Sequence, residues 1–246
     1  MYFRPTVKLS GGVLQDVDIS PDGSVNFILK CSKGIVGGKN YGVNLLTVKV
    51  RKDHNDINRV KAFKPGDFVI LEASVRQHYD PTLKSNTFQL SLIRITSVFT
   101  GLNSSTQVSG DFRAMNSVVL IGYVGMDPSI SKASNDKEMA FFSVASDLST
   151  KSDEPDTVFY SISATHNVDF IRNYIVKGCL VMIEGALNTY ESNGVPQANI
   201  QMYNITKLKK AKSEETQGTQ EKNATAAPEP KSVTIPSSDN ADEVPF

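Results

Sequence analysis

From Thr6 to Phe99 the apolar positions recur in short runs of period two, the signature of strands with one buried face. These runs predict strands near Val7–Val13, Val25–Cys31, Leu45–Val50, Phe68–Arg76 and Phe88–Ser97. One stretch breaks the period: Ile57, Val60, Ala62 and Phe63 follow helical spacing and predict a short helix near Asp56–Phe63. Turn chemistry separates the runs, with S-P-D-G at Ser20–Gly23, G-G-K-N at Gly37–Asn40, K-P-G at Lys64–Gly66 and Y-D-P at Tyr79–Pro81.

The same plan follows a second time. Strands are predicted near Ser117–Gly125, Met139–Ser146, Val158–Ala164, Leu180–Tyr190 and Ala198–Leu208, with a helix near Val168–Val176. The clearest echo pairs K-P-G-D-F-V-I-L-E-A-S-V (Lys64–Val75) with V-K-G-C-L-V-M-I-E-G-A-L (Val176–Leu187), about 112 residues apart. That period is far too long for a solenoid, so it marks two copies of a whole small domain. Five strands with a helix between the third and fourth is the order of an OB-fold barrel. The expected fold is all-β, with two five-stranded OB-fold barrels, each with one short helix, and a disordered acidic C-terminal tail. The expected domains are a first barrel at 1–100, a linker at 101–112 containing the polar stretch Gly101–Gly110, a second barrel at 113–212 and the tail at 213–246. Beyond Lys212 the composition collapses into Glu, Lys, Thr, Gln, Ala and Pro, which cannot offset the entropy of folding.

With 246 residues, 39% of them apolar, the chain has enough material for two modest cores. Its formal net charge of zero argues at first against a nucleic-acid partner. Segmentation changes the picture. Residues 1–110 hold 14 Lys+Arg against 8 Asp+Glu, residues 111–212 hold 10 against 11, and residues 213–246 hold 2 against 7. The basic surplus belongs to the first domain and is masked by the acidic tail. No stretch is long and apolar enough to span a membrane, and no signal peptide follows Met1, so a cytoplasmic, nucleoid-associated protein without membrane contact is expected. Cys31 and Cys179 lie in strand-like runs without a C-x-x-C or histidine companion, as buried small hydrophobes do in a reducing compartment.

Four segments together carry a family likeness: M-N-S-V-V-L-I-G-Y-V-G-M-D-P (Met115–Pro128), M-A-F-F-S-V-A-S-D (Met139–Asp147), K-G-C-L-V-M-I-E-G-A-L (Lys177–Leu187) and the terminal D-E-V-P-F (Asp242–Phe246). The chain resembles the bacterial single-stranded DNA-binding protein family over residues 115–208 and its last few residues, and specifically the branch with two barrels per chain that works as a homodimer. The family's opening N-x-V-x-L-x-G is not legible in the first domain, which joins the likeness through the internal repeat. The resemblance implies non-enzymatic binding of single-stranded DNA without a cofactor or metal. It also implies docking of replication, recombination and repair proteins on the tip Asp242, Glu243, Val244, Pro245 and Phe246.

Binding a single strand needs positive charge for phosphates and outward aromatic faces for bases. Period two puts Phe159 outside among Ser161, Ser163 and Thr165, and puts Phe141 and Tyr190 outside on neighbouring strands. Phe159 also falls where the resemblance places a stacking tryptophan. The other two tryptophan positions fall on Thr150 and Ser192, and the chain has no Trp. In the first domain Lys49, Arg51 and Arg76 read as phosphate contacts with Tyr79 beside them as a further stacking group, and Lys84 follows in the fourth-to-fifth strand hairpin. Catalytic readings fail. G-I-V-G-G-K-N (Gly34–Asn40) has Lys33 and Asn40 where a phosphate loop needs Gly and Ser or Thr, and a hairpin turn explains its glycines better. His54, His78 and His166 are scattered, with no nucleophile or paired carboxylates around them. The competing reading is an OB-fold replication-restart or phage accessory protein that acts mainly through protein contacts. A homodimer is expected because strand Val118–Val124 is nearly continuous in apolar residues and would leave one face uncovered.

Overall fold

The computed structural model describes residues 4–33, 35–36, 39–40, 42–100, 115–132, 136–148 and 156–210. Its first half contains β1 (Thr6–Val13), β2 (Asp18–Ile19), β3 (Val25–Ser32), β4 (Ile35–Val36), β5 (Lys39–Asn40), β6 (Val43–Val50), α1 (Ile57–Lys61), β7 (Phe68–Asp80) and β8 (Ser85–Phe99). The second contains β9 (Asn116–Val124), β10 (Ser129–Lys132), β11 (Glu138–Asp147), β12 (Thr157–Ala164), α2 (Val168–Tyr174), β13 (Leu180–Ser192) and β14 (Val195–Lys209).

Each half closes a five-stranded barrel. In the first, β1 pairs with β3 and β7, β3 with β6, β6 with β8 in parallel, and β8 with β7. In the second, β9, β11, β12, β14 and β13 repeat that circuit, including the parallel closure of β12 on β14. Closure removes sheet edges, and the inward set of each strand fills the barrel. In β3 that set is Val25, Phe27, Leu29 and Cys31, all buried, with Phe63 packing edge-on to Phe27 at 5.4 Å. Each helix anchors itself by one buried residue, Val60 in α1 and Ile171 in α2. Both sit between the third and fourth barrel strands, as the strand order predicts. The two cysteines are buried, and burial pushes the Cys31 thiol up to about 12. β4 and β5 pair antiparallel, Ile35 opposite Asn40 and Val36 opposite Lys39; Gly37 and Gly38 of the expected turn lie outside the described residues.

The repeated turn has a backbone cause. Gly66 and Gly178 both adopt positive φ, at 92° and 86°, where a side chain is strained. Their amides donate to the carbonyls of Val13 and Val124, at 3.0 and 2.8 Å. The next residues return the favour: Val13 N–H donates to the Asp67 carbonyl and Val124 N–H to the Cys179 carbonyl. The echo in sequence is thus one hydrogen-bonded corner built twice.

The barrels join through β1 and β9, which pair antiparallel from Thr6 opposite Val119 to Leu9 opposite Asn116. A single sheet of 12 strands results. Both edges of β9 are thereby paired within the chain, with β13 and with β1, while Val119 and Ile121 on its outer face stay half-buried. The chain departs from expectation in its hairpins. β7 and β8 run to Asp80 and from Ser85, past the predicted ends at Arg76 and Phe88. Polar sequence at these arms gives no period-two signal, but the arm lies against the other barrel. There the Gln77 amide donates to the Ala198 carbonyl (3.0 Å), and Gln77 Oε1 accepts the Ser161 N–H (2.8 Å).

Candidate nucleic-acid interface

The pairing registers place each expected binding residue. Phe159 stands on the outer face of β12, opposite Ala145 of β11, and is 58% exposed. Phe141 stands on the same face opposite Ser163, two rungs away. On the rung between, Ser161 is bonded through its N–H and hydroxyl to Gln77 of the first barrel. Phe141 and Phe159 thus share one face, with Ser161 and Ser143 on the rung between them. Tyr79 and Tyr190, both exposed, come from different barrels, on hairpin arms that touch through Asn86 and Gln197. Tyr79 lies opposite Asn86 and Tyr190 opposite Gln197. The Asn86 amide donates to Gln197 Oε1 at 3.4 Å, and the Gln197 amide donates to the Lys84 carbonyl at 2.9 Å. Lys84 itself sits at the hairpin tip with φ of 50° and an exposed side chain.

The cations fare unequally. Lys49 is half-buried on the outer side of β6, opposite Asn26, and its field helps hold the Asp22 carboxyl below the usual range, behind the larger effect of hydrogen bonds from Ser24. Arg51 follows on the surface with Asp53 3.5 Å away, a loose exposed pair that leaves the guanidinium accessible. Arg76 is different. Both its terminal nitrogens donate to Asp156 at 2.7 Å, a bidentate fork that depresses the Asp156 carboxyl and raises Arg76 further. The expected phosphate contact is therefore already engaged by a carboxylate of the second barrel. Position 150 and the tip Asp242–Phe246 lie outside the described residues; Ser192 is exposed at the end of β13.

Two candidate residues escaped the sequence reading. Tyr123 of β9 is 55% exposed, opposite Ala145 on the side away from Phe159. Lys30 of β3 is exposed opposite Leu45. Both signals were present as period two: Val118, Leu120, Gly122 and Val124 face in, so Tyr123 faces out. Reading that strand as a continuous apolar run hid the phase. Among the described residues, no group of three or more His, Cys, Asp or Glu could hold a metal ion, and no helix is long and apolar enough to cross a membrane.

A family model described as the Single-strand binding protein family matches residues 115–217. The described part of that range is the second barrel. The fold of the whole described chain is similar to the wild-type single-stranded DNA binding protein of Thermus aquaticus. The TM-score is 0.63 at 14% identity over 86% of this chain and 96% of that one. A deletion mutant of the same Thermus aquaticus protein aligns at TM-score 0.62 and 15% identity, over 82% and 93% of the two chains. The Plasmodium falciparum single-stranded DNA-binding protein in its complex with DNA aligns over 39% of this chain and 96% of its own, at 26% identity and TM-score 0.34. No curated protein sequence matches the chain. The Thermus aquaticus alignments extend across both halves, so two barrels in one chain are a fold common to the two proteins.

Proposed function

We propose that the chain binds single-stranded DNA without sequence preference, covering exposed strands rather than transforming them. The observation that carries this reading is a barrel, matched by the Single-strand binding protein family model, whose outer face holds exposed aromatic rings, beside a second barrel of the same plan with a basic outer face. Rings contribute stacking that every base can satisfy, and cations neutralise phosphates. In this reading Phe159, Phe141, Tyr190 and Tyr79 stack, and Lys49, Arg51 and Lys84 contact the backbone. Arg76 joins them only by exchanging Asp156 for a phosphate. Anisotropy of a labelled thymidine oligomer tests the proposal. Nanomolar to micromolar binding that weakens steeply with salt and survives duplex competitor supports it, and preference for a defined duplex overturns it.

The tip Asp242–Phe246 is proposed to recruit replication, recombination and repair proteins. A soluble acidic segment has no folding reason to end in Val244, Pro245 and Phe246, whereas an apolar tip with carboxylates suits a pocket with a basic rim. Deleting those five residues is expected to leave DNA affinity intact and abolish partner capture; unchanged capture would move the contacts to the barrels. A homodimer remains the proposed assembly. Its support is the outer face of β7, β1, β9 and β13, where Ile70, Val119, Ile121 and Met182 are only half-buried. Light scattering at monomer mass would remove it.

A further inference from the structure

Tyr123 and Phe159 are separated in sequence, yet the registers put them in one row. Tyr123 lies opposite Ala145 and Ala145 opposite Phe159, on the outer face of three adjacent strands. The Phe159 ring does not stand upright over its own strand. A Cβ built on Gly125 would meet two atoms of that ring at 3.0 and 3.3 Å, so the ring leans across β11 and rests above Gly125. Gly125 follows Tyr123 by two residues, and the residue between them, Val124, points into the barrel and is buried. Two residues of strand span about 6.7 Å. A flat base in van der Waals contact with a ring on each side needs the rings about 7 Å apart, two contacts of about 3.5 Å. Ala145 stands between the two rings in the row, and the Ser143 hydroxyl, 2.8 Å from the same Cβ on Gly125, lies on the Gly125 side. Among the described residues neither ring pairs with another aromatic.

We propose that Tyr123 and Phe159 are the two walls of a slot that takes one nucleobase of a single strand, with Ala145 as its floor and Gly125 as the seat that lets the Phe159 ring lean. The inference rests on the single-strand-binding reading and adds Tyr123 to it as a second stacking wall. The first barrel supplies an internal contrast. By the same registers, Gly12, Lys30 and Leu45 stand where Tyr123, Ala145 and Phe159 stand. The Leu14 amide donates to the Ile28 carbonyl as the Gly125 amide does to that of Ser143, so Leu14 occupies the position of Gly125. That row has no ring at either end and a lysine in place of the floor. The slot therefore belongs to the second barrel alone, and the matching place in the first is suited to a phosphate.

The test measures affinity of the full chain for a labelled thymidine oligomer and for an abasic deoxyribose-phosphate oligomer of equal length, with unfolding midpoints checked for every variant. Tyr123→Ala is expected to weaken thymidine binding about tenfold without changing the salt slope, and to leave abasic binding unchanged. Tyr123→Phe restores the affinity, since the ring and not the hydroxyl does the stacking. Phe159→Ala with Tyr123→Ala should lose less than the product of the single losses, because a base that has left the slot no longer contacts the remaining wall. Wild-type affinity in Tyr123→Ala, an equal loss on the abasic strand, or fully multiplicative losses would each overturn the slot while leaving single-strand binding intact. A wild-type chain that binds no thymidine oligomer overturns the underlying reading and the slot together.

Discussion

Arg76 and Asp156 meet through two hydrogen bonds of 2.7 Å although each side chain is nearly half exposed, which makes them an inter-barrel fork in contact with water. The hydrogen bond from Arg76 holds the Asp156 carboxyl below its ordinary value of 3.8. Because the folded value is depressed, the pair's contribution is present above the ordinary value and is lost as pH falls through the folded one. Asp156→Asn should therefore lower the unfolding midpoint at neutral pH, by no more than about 3 °C for a pair this exposed. Wild type and variant should converge in acid. A gap that persists in acid would assign the effect to packing. A few residues on, Tyr160 shows the buried counterpart of such a link. Its hydroxyl donates to the Val75 carbonyl at 2.8 Å, and burial raises its pKa. Tyr160→Phe leaves that carbonyl unpaired, at a cost of about 1–3 kcal/mol, measurable by denaturant titration.

At the scale of elements, β1 and β9 each serve two purposes: closing a barrel against its second strand and joining the other barrel. Close approach is the consequence. A Cβ on Gly122 would sit 2.2 Å from the Ala145 carbonyl oxygen, and one on Gly11 2.5 Å from that of Lys30. Both obstacles are backbone and have no rotamer through which to yield. Gly122→Ala should cost about 3 kcal/mol. Gly12→Ala, one residue beyond Gly11 with nothing within 4 Å, should stay within about 0.5 kcal/mol. Equal losses would mean that the strand, and not the contact, demands glycine. The hairpin arms follow the same logic of tertiary support, since β7 extends only where Gln77 finds Ser161 and Ala198.

For the whole molecule, the two barrels share a backbone plan and divide their surfaces. The first holds 14 Lys+Arg against 8 Asp+Glu over residues 1–110 and presents Lys30, Lys49 and Arg51 on or beside β3 and β6. The second is nearly neutral and presents rings. Salt dependence of binding should accordingly reside mainly in the first barrel. Lys49→Ala with Arg51→Ala should flatten the slope of log affinity against log salt by about two. Phe159→Ala should lower affinity at every salt concentration with the slope retained. An unchanged slope in the charge variant would assign Lys49 and Arg51 to ordinary surface.

Strand order, the helix between third and fourth strands, the duplicated plan and the outward phase of Phe159 were legible in sequence, because burial alternates with period two and turn glycines occupy strained backbone. The hidden features depend on partners distant along the chain. Period two puts Tyr123 outside, but only register puts it in a row with Phe159. Arg76 reads as a free cation until Asp156, 80 residues on, is folded against it. The apolar run of β9 does not reveal that β1, more than 100 residues earlier, pairs along its edge. Local pattern determines which face a residue occupies; which side chain meets it there is decided when the barrels close and dock.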